Sequence, residues 1–298
     1  MTLASRGRSC EAVTPGAIVL LVAALFAVSG LGWNLGAVPR DGRVTTSSLP
    51  SSLPELPPGG DYPTYLGSAE RTSSSSSELL VNLTTTPRIH LLWNFTAGGA
   101  VQSQPVEQNG VVYFGAQDGY EYAVGAATGA LLWRTFLGQD TNDTGCGTHP
   151  LGVTSTATVV GPVLYVDGSY PYLYALNSST GGIEWRSLLG GSDTRGFYDW
   201  SSPLIYQQQA YVGLSSDCDH PLVPAGVAEF SLRTHAMIGY FNSSAPDLIG
   251  SSIWGSPSVN PSTNTVFVTT GNPAGTTPST YSESIVALNA TTLAVQAH

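Results

Sequence analysis

The chain has 298 residues, a formal net charge of −10 at pH 7, and only 10% charged side chains. All ten basic residues are Arg and none is Lys. That balance excludes nucleic acid and an anionic lipid surface as the main partner, because both require concentrated positive charge. So few charges also leave Ser, Thr, Asn, Gln and Gly to solubilise the surface, which suits strands and turns better than amphipathic helices.

Residues 1–40 carry the targeting information. Arg6 and Arg8 precede an uncharged apolar run from Ala17 to Trp33, close to the ~20 residues that cross a bilayer as a helix. The expectation is an uncleaved single-pass transmembrane helix with the remainder on the extracytoplasmic side. Cleavage near Ala27-Val28-Ser29, leaving a secreted chain, is the alternative. Residues 41–60 include Pro50, Pro54, Pro57 and Pro58 among Ser and Gly and read as a linker that packs no core.

Two further signals fit an exterior location. Asn82, Asn94, Asn142, Asn177, Asn242 and Asn289 each stand in an Asn-x-Ser/Thr sequon and are candidate glycosylation sites. Cys10 precedes the apolar run, which leaves Cys146 and Cys218 as a candidate disulfide, with two unrelated thiols as the alternative.

From residue 61 onward the chain repeats itself. The stretch from Pro105 to Trp133 recurs from Ala157 to Trp185, and again, more loosely, from Pro203 and from Pro257. Trp133 and Trp185 lie 52 residues apart, near the ~40–50 of propeller blades. Tyr113, Tyr165, Tyr211 and Phe267 hold equivalent places. Each unit offers a short opening strand, two alternating strands, a turn such as Thr128-Gly129 or Thr180-Gly181, and an edge strand, which contains Trp133 and Trp185 in the first two units. The predicted fold is therefore all-β, a β-propeller of four-stranded blades over residues 61–298 whose sheets cover one another.

The segment GAQDGYEYAVGAATGALLW resembles the repeat of the PQQ propellers, the family of quinoprotein alcohol dehydrogenases and their non-enzymatic relatives, with Gly125 where Asp is usual. In that family an N-terminal strand completes the last blade, and the sequence around Trp93 resembles it. Four units are recognisable here against the family's usual seven or eight, so the ring is expected to be incomplete.

The resemblance also implies a site. The segment from Ile253 to Pro273 resembles the one in which a Trp lies under the PQQ ring and an Asn ligates Ca2+. It implies Trp254 as the cofactor-stacking residue and Asn272 as both cofactor-binding and metal-binding, with Asp219 or Asp217 as the candidate carboxylate from the neighbouring blade. Trp200 occupies the same place as Trp254, so a wedge between blades explains both indoles equally well. The family's catalytic base has no counterpart within the chain, and no haem-attachment motif occurs. The favoured reading is a membrane-anchored extracytoplasmic scaffold that binds a protein or glycan. The alternative is a PQQ- and Ca2+-dependent dehydrogenase acting on an alcohol or sugar.

Overall fold

The computed structural model describes residues 60–75, 81–141, 150–189, 197–217, 222–244, 249–274 and 279–298. The expected anchor and nearly all of the linker, Asn142, Cys146, Cys218 and Asp219 lie outside them. Among the described residues no helix is long and apolar enough to cross a membrane.

Four antiparallel meanders follow one another. Blade 1 comprises β1 (Val106–Gln108), β2 (Val111–Gly115), β3 (Tyr120–Gly125) and β4 (Leu131–Phe136). Blade 2 comprises β5 (Thr158–Val160), β6 (Val163–Asp167), β7 (Tyr172–Asn177) and β8 (Ile183–Leu188). After β9 (Phe197–Tyr198), which adds to the end of the second strand of blade 3, that blade runs through β10 (Leu204–Tyr206), β11 (Gln209–Ser216), β12 (Gly226–Ser231) and β13 (Met237–Asn242). Blade 4 comprises β14 (Ser258–Asn260), β15 (Thr265–Thr269), β16 (Ile285–Asn289) and β17 (Val295–Ala297).

The repeat holds at the level of register. Tyr113, Tyr165, Tyr211 and Phe267 pair with Val106, Thr158, Leu204 and Ser258 on the opening strands. On the third strands their partners are Ala123, Ala175, Glu229 and Ala287. Three of the four rings are buried, and Phe267 is half-buried. Strand alternation puts every second side chain on each face, so both faces of a blade are apolar and only a neighbouring blade can cover them. One cluster accordingly joins Tyr113, Ala123 and Trp133 of blade 1 to Leu164, Val166 and Leu176 of blade 2. A second cluster joins blades 2 and 3, and a third joins blades 3 and 4.

The outer-strand Trp residues cap these joints. Trp133 covers the β7–β8 turn of blade 2, where a Cβ added to Gly181 would fall 2.6 Å from the indole. The indole N–H of Trp133 donates to Ser178 O at 2.9 Å, and Tyr113 Oη donates to the same carbonyl at 3.2 Å. Trp185 stacks on His235 of blade 3, with ring centroids 4.6 Å apart. The capped position is left-handed in all four blades: Gly129, Gly181, His235 and Leu293 have φ of 66°, 71°, 59° and 54°. Glycine adopts this backbone without penalty, whereas the other two residues are held there by the turn. In blade 3 the pair is inverted: Glu229 stands opposite Gly239, where blades 1 and 2 have Ala opposite Trp.

Trp93 performs the same service for blade 1. Its indole lies over Gly129 and donates to Ala126 O at 2.7 Å. The segment around it was expected to be a strand, yet it forms no β-ladder, because no described strand runs beside it to pair with.

Residues 61–71 form a strap across the opening strands of all four blades. Tyr62 exchanges backbone hydrogen bonds with Glu107, Val159 N–H donates to Pro63 O, and Val259 N–H donates to Ala69 O. Arg71 ends the strap, donating to Pro257 O at 3.1 Å, Pro203 O at 3.1 Å, Tyr65 O at 2.8 Å and Thr64 Oγ1 at 2.6 Å. Burial lowers its pKa to about 10, so it stays cationic at neutral pH.

The joints also enclose acids. Glu121, Asp167, Asp199 and Glu229 are at most 3% exposed, and each has at least one carboxyl oxygen without a hydrogen-bond partner. Burial pushes the pKa of Glu121 and Asp199 well up, and burial together with the neighbouring Asp199 does the same to Asp167. Glu229 is raised by burial too. The acid form is thus the one these sites favour.

Two predictions follow from this packing. Trp133→Ala uncovers the Gly181 turn and lowers unfolding stability by about 3–5 kcal/mol, read as a shifted urea midpoint. The raised carboxyl pKa values mean that the buried-acid contribution is full below about pH 4, where the unfolded chain is protonated too, and is lost as pH rises. Urea midpoints should therefore fall from acid to alkaline pH. Asp199→Asn and Glu121→Gln should flatten that slope by raising the midpoint at pH 8 far more than at pH 4.

Candidate functional site

A cavity of about 360 Å3 opens where the four blades converge. Its wall is built largely from residues of the three-residue segments that precede Pro105, Ala157, Pro203 and Pro257. The outermost of these are Gln102, Thr154, Trp200 and Trp254, one from each blade, all lining the cavity. Tyr65 of the strap lines it as well.

Two sets of hydrogen bonds hold this wall. The residue just before each opening Pro or Ala donates its backbone N–H to a hydroxyl of the next blade. Gln104 donates to Thr156 Oγ1 at 2.8 Å, Thr156 to Ser202 Oγ at 3.0 Å, and Ser202 to Ser256 Oγ at 2.9 Å. Between the lining positions, Ser103, Ser155 and Ser201 pin the exits of β2, β6 and β11 by accepting the backbone N–H of Gly115, Asp167 and Gly213. Blade 4 replaces this Ser by Gly255, where an added Cβ would lie 2.7 Å from Thr269 Oγ1. The hydroxyl has moved to the other strand.

The two cavity tryptophans differ. Trp200 is half-buried and meets Tyr198 edge-on, with ring centroids 4.7 Å apart at 62°. Tyr198 is itself buried, donates to Gly152 O at 2.8 Å, and has a pKa raised by that burial. Thr154 Oγ1 donates to Asp199 O at 3.0 Å, which ties the cavity wall to the acid pair Asp167 and Asp199 behind it. Trp254 is 63% exposed, so its indole face is open to a ligand.

The structure places two of the predicted site residues near one another. The turn containing Asn272 lies beside Trp254, since a Cβ on Gly271 would come 3.4 Å from the indole nitrogen. Asn272 is exposed, its side-chain amide donates to Pro273 O at 3.3 Å, and it does not line the cavity. Asp219 lies outside the described residues, and so do Cys146 and Cys218. Among the described residues no three His, Cys, Asp or Glu side chains converge to hold a metal. Of the sequons, Asn82 and Asn94 are exposed, while Asn177, Asn242 and Asn289 are half-buried with Oδ1 accepting backbone N–H groups of the following turn. Asn142 is outside the described residues.

The buried acids are not evident from motif reading, yet the repeat carries a signal for them. Asp167 occupies the place held by Gly115 and Gly213, and Glu121 the place held by Leu173 and Val227. A charged residue at an otherwise small or apolar repeat position is that signal.

Comparisons with known proteins agree with this architecture. A PQQ-repeat family model described as outer membrane protein assembly factor BamB matches residues 77–196 and 118–218. Tetrathionate hydrolase of Acidithiobacillus ferrooxidans is 27% identical over 111 residues, which are 37% of this chain and 20% of that protein. BamB of Yersinia pestis is 25% identical over 128 residues, 39% of this chain and 32% of that protein. Among solved structures, quinohemoprotein alcohol dehydrogenase from Comamonas testosteroni superposes with a TM-score of 0.68 at 19% identity, over 80% of this chain and 40% of that one. A europium-containing methanol dehydrogenase gives 0.67 at 16% identity, over 80% and 48%. The chain thus spans less than half of each of these four proteins. With the same strand register in four successive blades and these matches, the chain has the fold of the PQQ-repeat β-propellers, and its residues 77–218 match their repeat.

Proposed function

We propose that this chain is a non-catalytic binding scaffold, held on the extracytoplasmic side by its N-terminal apolar segment, whose propeller presents the axial mouth to a protein or glycan partner. The observation that carries this reading is the neutrality of the cavity wall. Its lining is Tyr, Trp, Gln, Ser, Thr and Gly, with no charged side chain. PQQ is a flat quinone bearing three carboxylates, and burying such an anion requires paired cations. Arg71 grips the same blade openings but already has four donated hydrogen bonds, and it does not line the cavity. The described residues therefore do not suit PQQ, and no oxidation step is derived through it.

The matches to BamB, named as an assembly factor, support a protein-contact role for this propeller. The outer strands of blades 1 to 3 support it too: Leu131 and Leu132 of β4, Ile183 of β8, and Met237 and Ile238 of β13 are all exposed, giving these three blade edges apolar contact points. The exposed Asn82 and Asn94 suit glycosylation on such an exterior domain.

The second reading, a PQQ- and Ca2+-dependent dehydrogenase oxidising an alcohol or sugar, draws on one observation. Trp254 is exposed beside the Gly271-Asn272 turn, an arrangement that would leave its indole face free for a flat cofactor. Equilibrium dialysis of the full chain with PQQ and Ca2+, followed by visible absorption, separates the two. The scaffold reading expects no retained chromophore, and no difference between the parent and Trp254→Ala or Asn272→Ala. A retained quinone spectrum that either substitution abolishes would establish the dehydrogenase reading instead. For the anchor, deletion of residues 1–40 should move the protein from the membrane to the soluble fraction.

A further inference from the structure

Resting on the scaffold reading, we infer that the axial cavity between Trp200 and Trp254 is a binding site for a short neutral saccharide. Three properties of the wall point to that chemistry. The first is an aromatic platform. Trp254 exposes 63% of its surface, while Trp200 is fixed edge-on to Tyr198 on the adjacent blade. An indole face is apolar and electron-rich, and the axial C–H face of a pyranose ring complements it, whereas the sugar's hydroxyls point sideways.

The second property is a row of hydroxyl groups. Thr156 Oγ1, Ser202 Oγ and Ser256 Oγ each accept a backbone N–H from the preceding blade, which fixes their position. All three border the cavity, Thr156 and Ser202 nearly buried and Ser256 half-buried, and among the described residues they take part in these bonds only as acceptors. Three donors on successive blades, held by the backbone, form a preorganised track for the hydroxyl and ring oxygens of a sugar. Gln102 adds an amide on blade 1, oriented by Gln117 Nε2, which donates to its Oε1 at 2.6 Å.

The third property is the missing charge. An anion would need a cation in the wall, and among the described lining residues there is none. A cation would need a carboxylate there, but Asp167 and Asp199 lie behind the wall at no more than 1% exposure. An apolar ligand would leave the hydroxyl row desolvated and unpaired, which disfavours it. A neutral polyhydroxylated ligand satisfies all three conditions. The volume of about 360 Å3 lies within the range of small-molecule sites, ~300–1,000 Å3.

The test is titration of the full chain with maltotriose, cellotriose and chitotriose, following tryptophan emission and heat in parallel, with PQQ and tetramethylammonium chloride as charged arms. At least one trisaccharide should shift the emission and saturate. Trp254→Ala should weaken that ligand by about tenfold or more, and Ser202→Ala by a smaller factor. Because Trp254 is mostly exposed, its loss should leave the urea midpoint in place, so weaker binding will not reflect unfolding. Tighter binding of tetramethylammonium than of any sugar would replace the saccharide with a cationic ligand. Absence of binding by all three sugars at about 10 mM, with no PQQ bound, overturns the saccharide site while leaving the scaffold reading intact. Binding of PQQ overturns both.

Discussion

The blades of this propeller depend on one constraint: each β-sheet unit is apolar on both faces, so it is stable only when a neighbour lies against it. The capping interaction shows how the chain enforces that dependence. Trp133 belongs to the sheet of blade 1, yet its ring covers a turn of blade 2 and its N–H satisfies a carbonyl there. Trp93 repeats the arrangement on blade 1, and Trp185 reproduces the stacking part of it on blade 3. A blade that turned out of register would expose its indole and leave its neighbour's turn uncovered. Registration and burial are therefore one event, which is how a quasi-repetitive chain avoids slipping against itself.

The strap and the hydroxyl ladder act at the opposite, axial edge. Outer tryptophans fix neighbouring blades in pairs, whereas residues 61–71 contact the opening strands of all four. A relay joins strap and blades: Arg71 donates to Thr64, whose hydroxyl meets Thr158, which in turn donates to Pro203 O. Four carbonyl and hydroxyl oxygens around one guanidinium stabilise its charge where no carboxylate partner takes part. The same architecture keeps the cavity lining neutral, because Arg71, the cation of the strap, donates its hydrogen bonds to the strap and the blade openings.

The buried acids are where local chemistry conflicts with packing. In blade 3, Glu229 lies opposite Gly239, and a Cβ on that glycine would come 2.5 Å from the carboxyl. The acid fills the space that Trp takes in blades 1 and 2. Asp167 and Asp199 sit together between blades 2 and 3, with no cation beside them among the described residues, and favour the protonated state. An uncharged carboxyl tolerates a dry interface that a carboxylate does not. This gives the packing of the joints a direct dependence on proton concentration, with acid conditions as the stabilising side.

The sequence by itself determined the repeat and, through it, the fold. Tyr113, Tyr165, Tyr211 and Phe267 hold equivalent places in the repeat, and equivalent places share a face because side-chain direction in a strand is set by sequence parity; the structure gives them equivalent partners on the opening strands. The equivalence of Trp200 and Trp254 with Gln102 and Thr154 was equally legible, and all four meet at one cavity. Only the tertiary structure decided what that cavity is. The neutrality of its wall depends on which side chains converge from four blades some fifty residues apart, and on Asp167 and Asp199 lying behind it. The same is true of Arg71, whose task is invisible until Pro203 and Pro257 come within its reach. Spacing along a chain fixes which face of a strand a residue occupies. What stands across from that face is set by the packing of separate sheets, which no local pattern encodes.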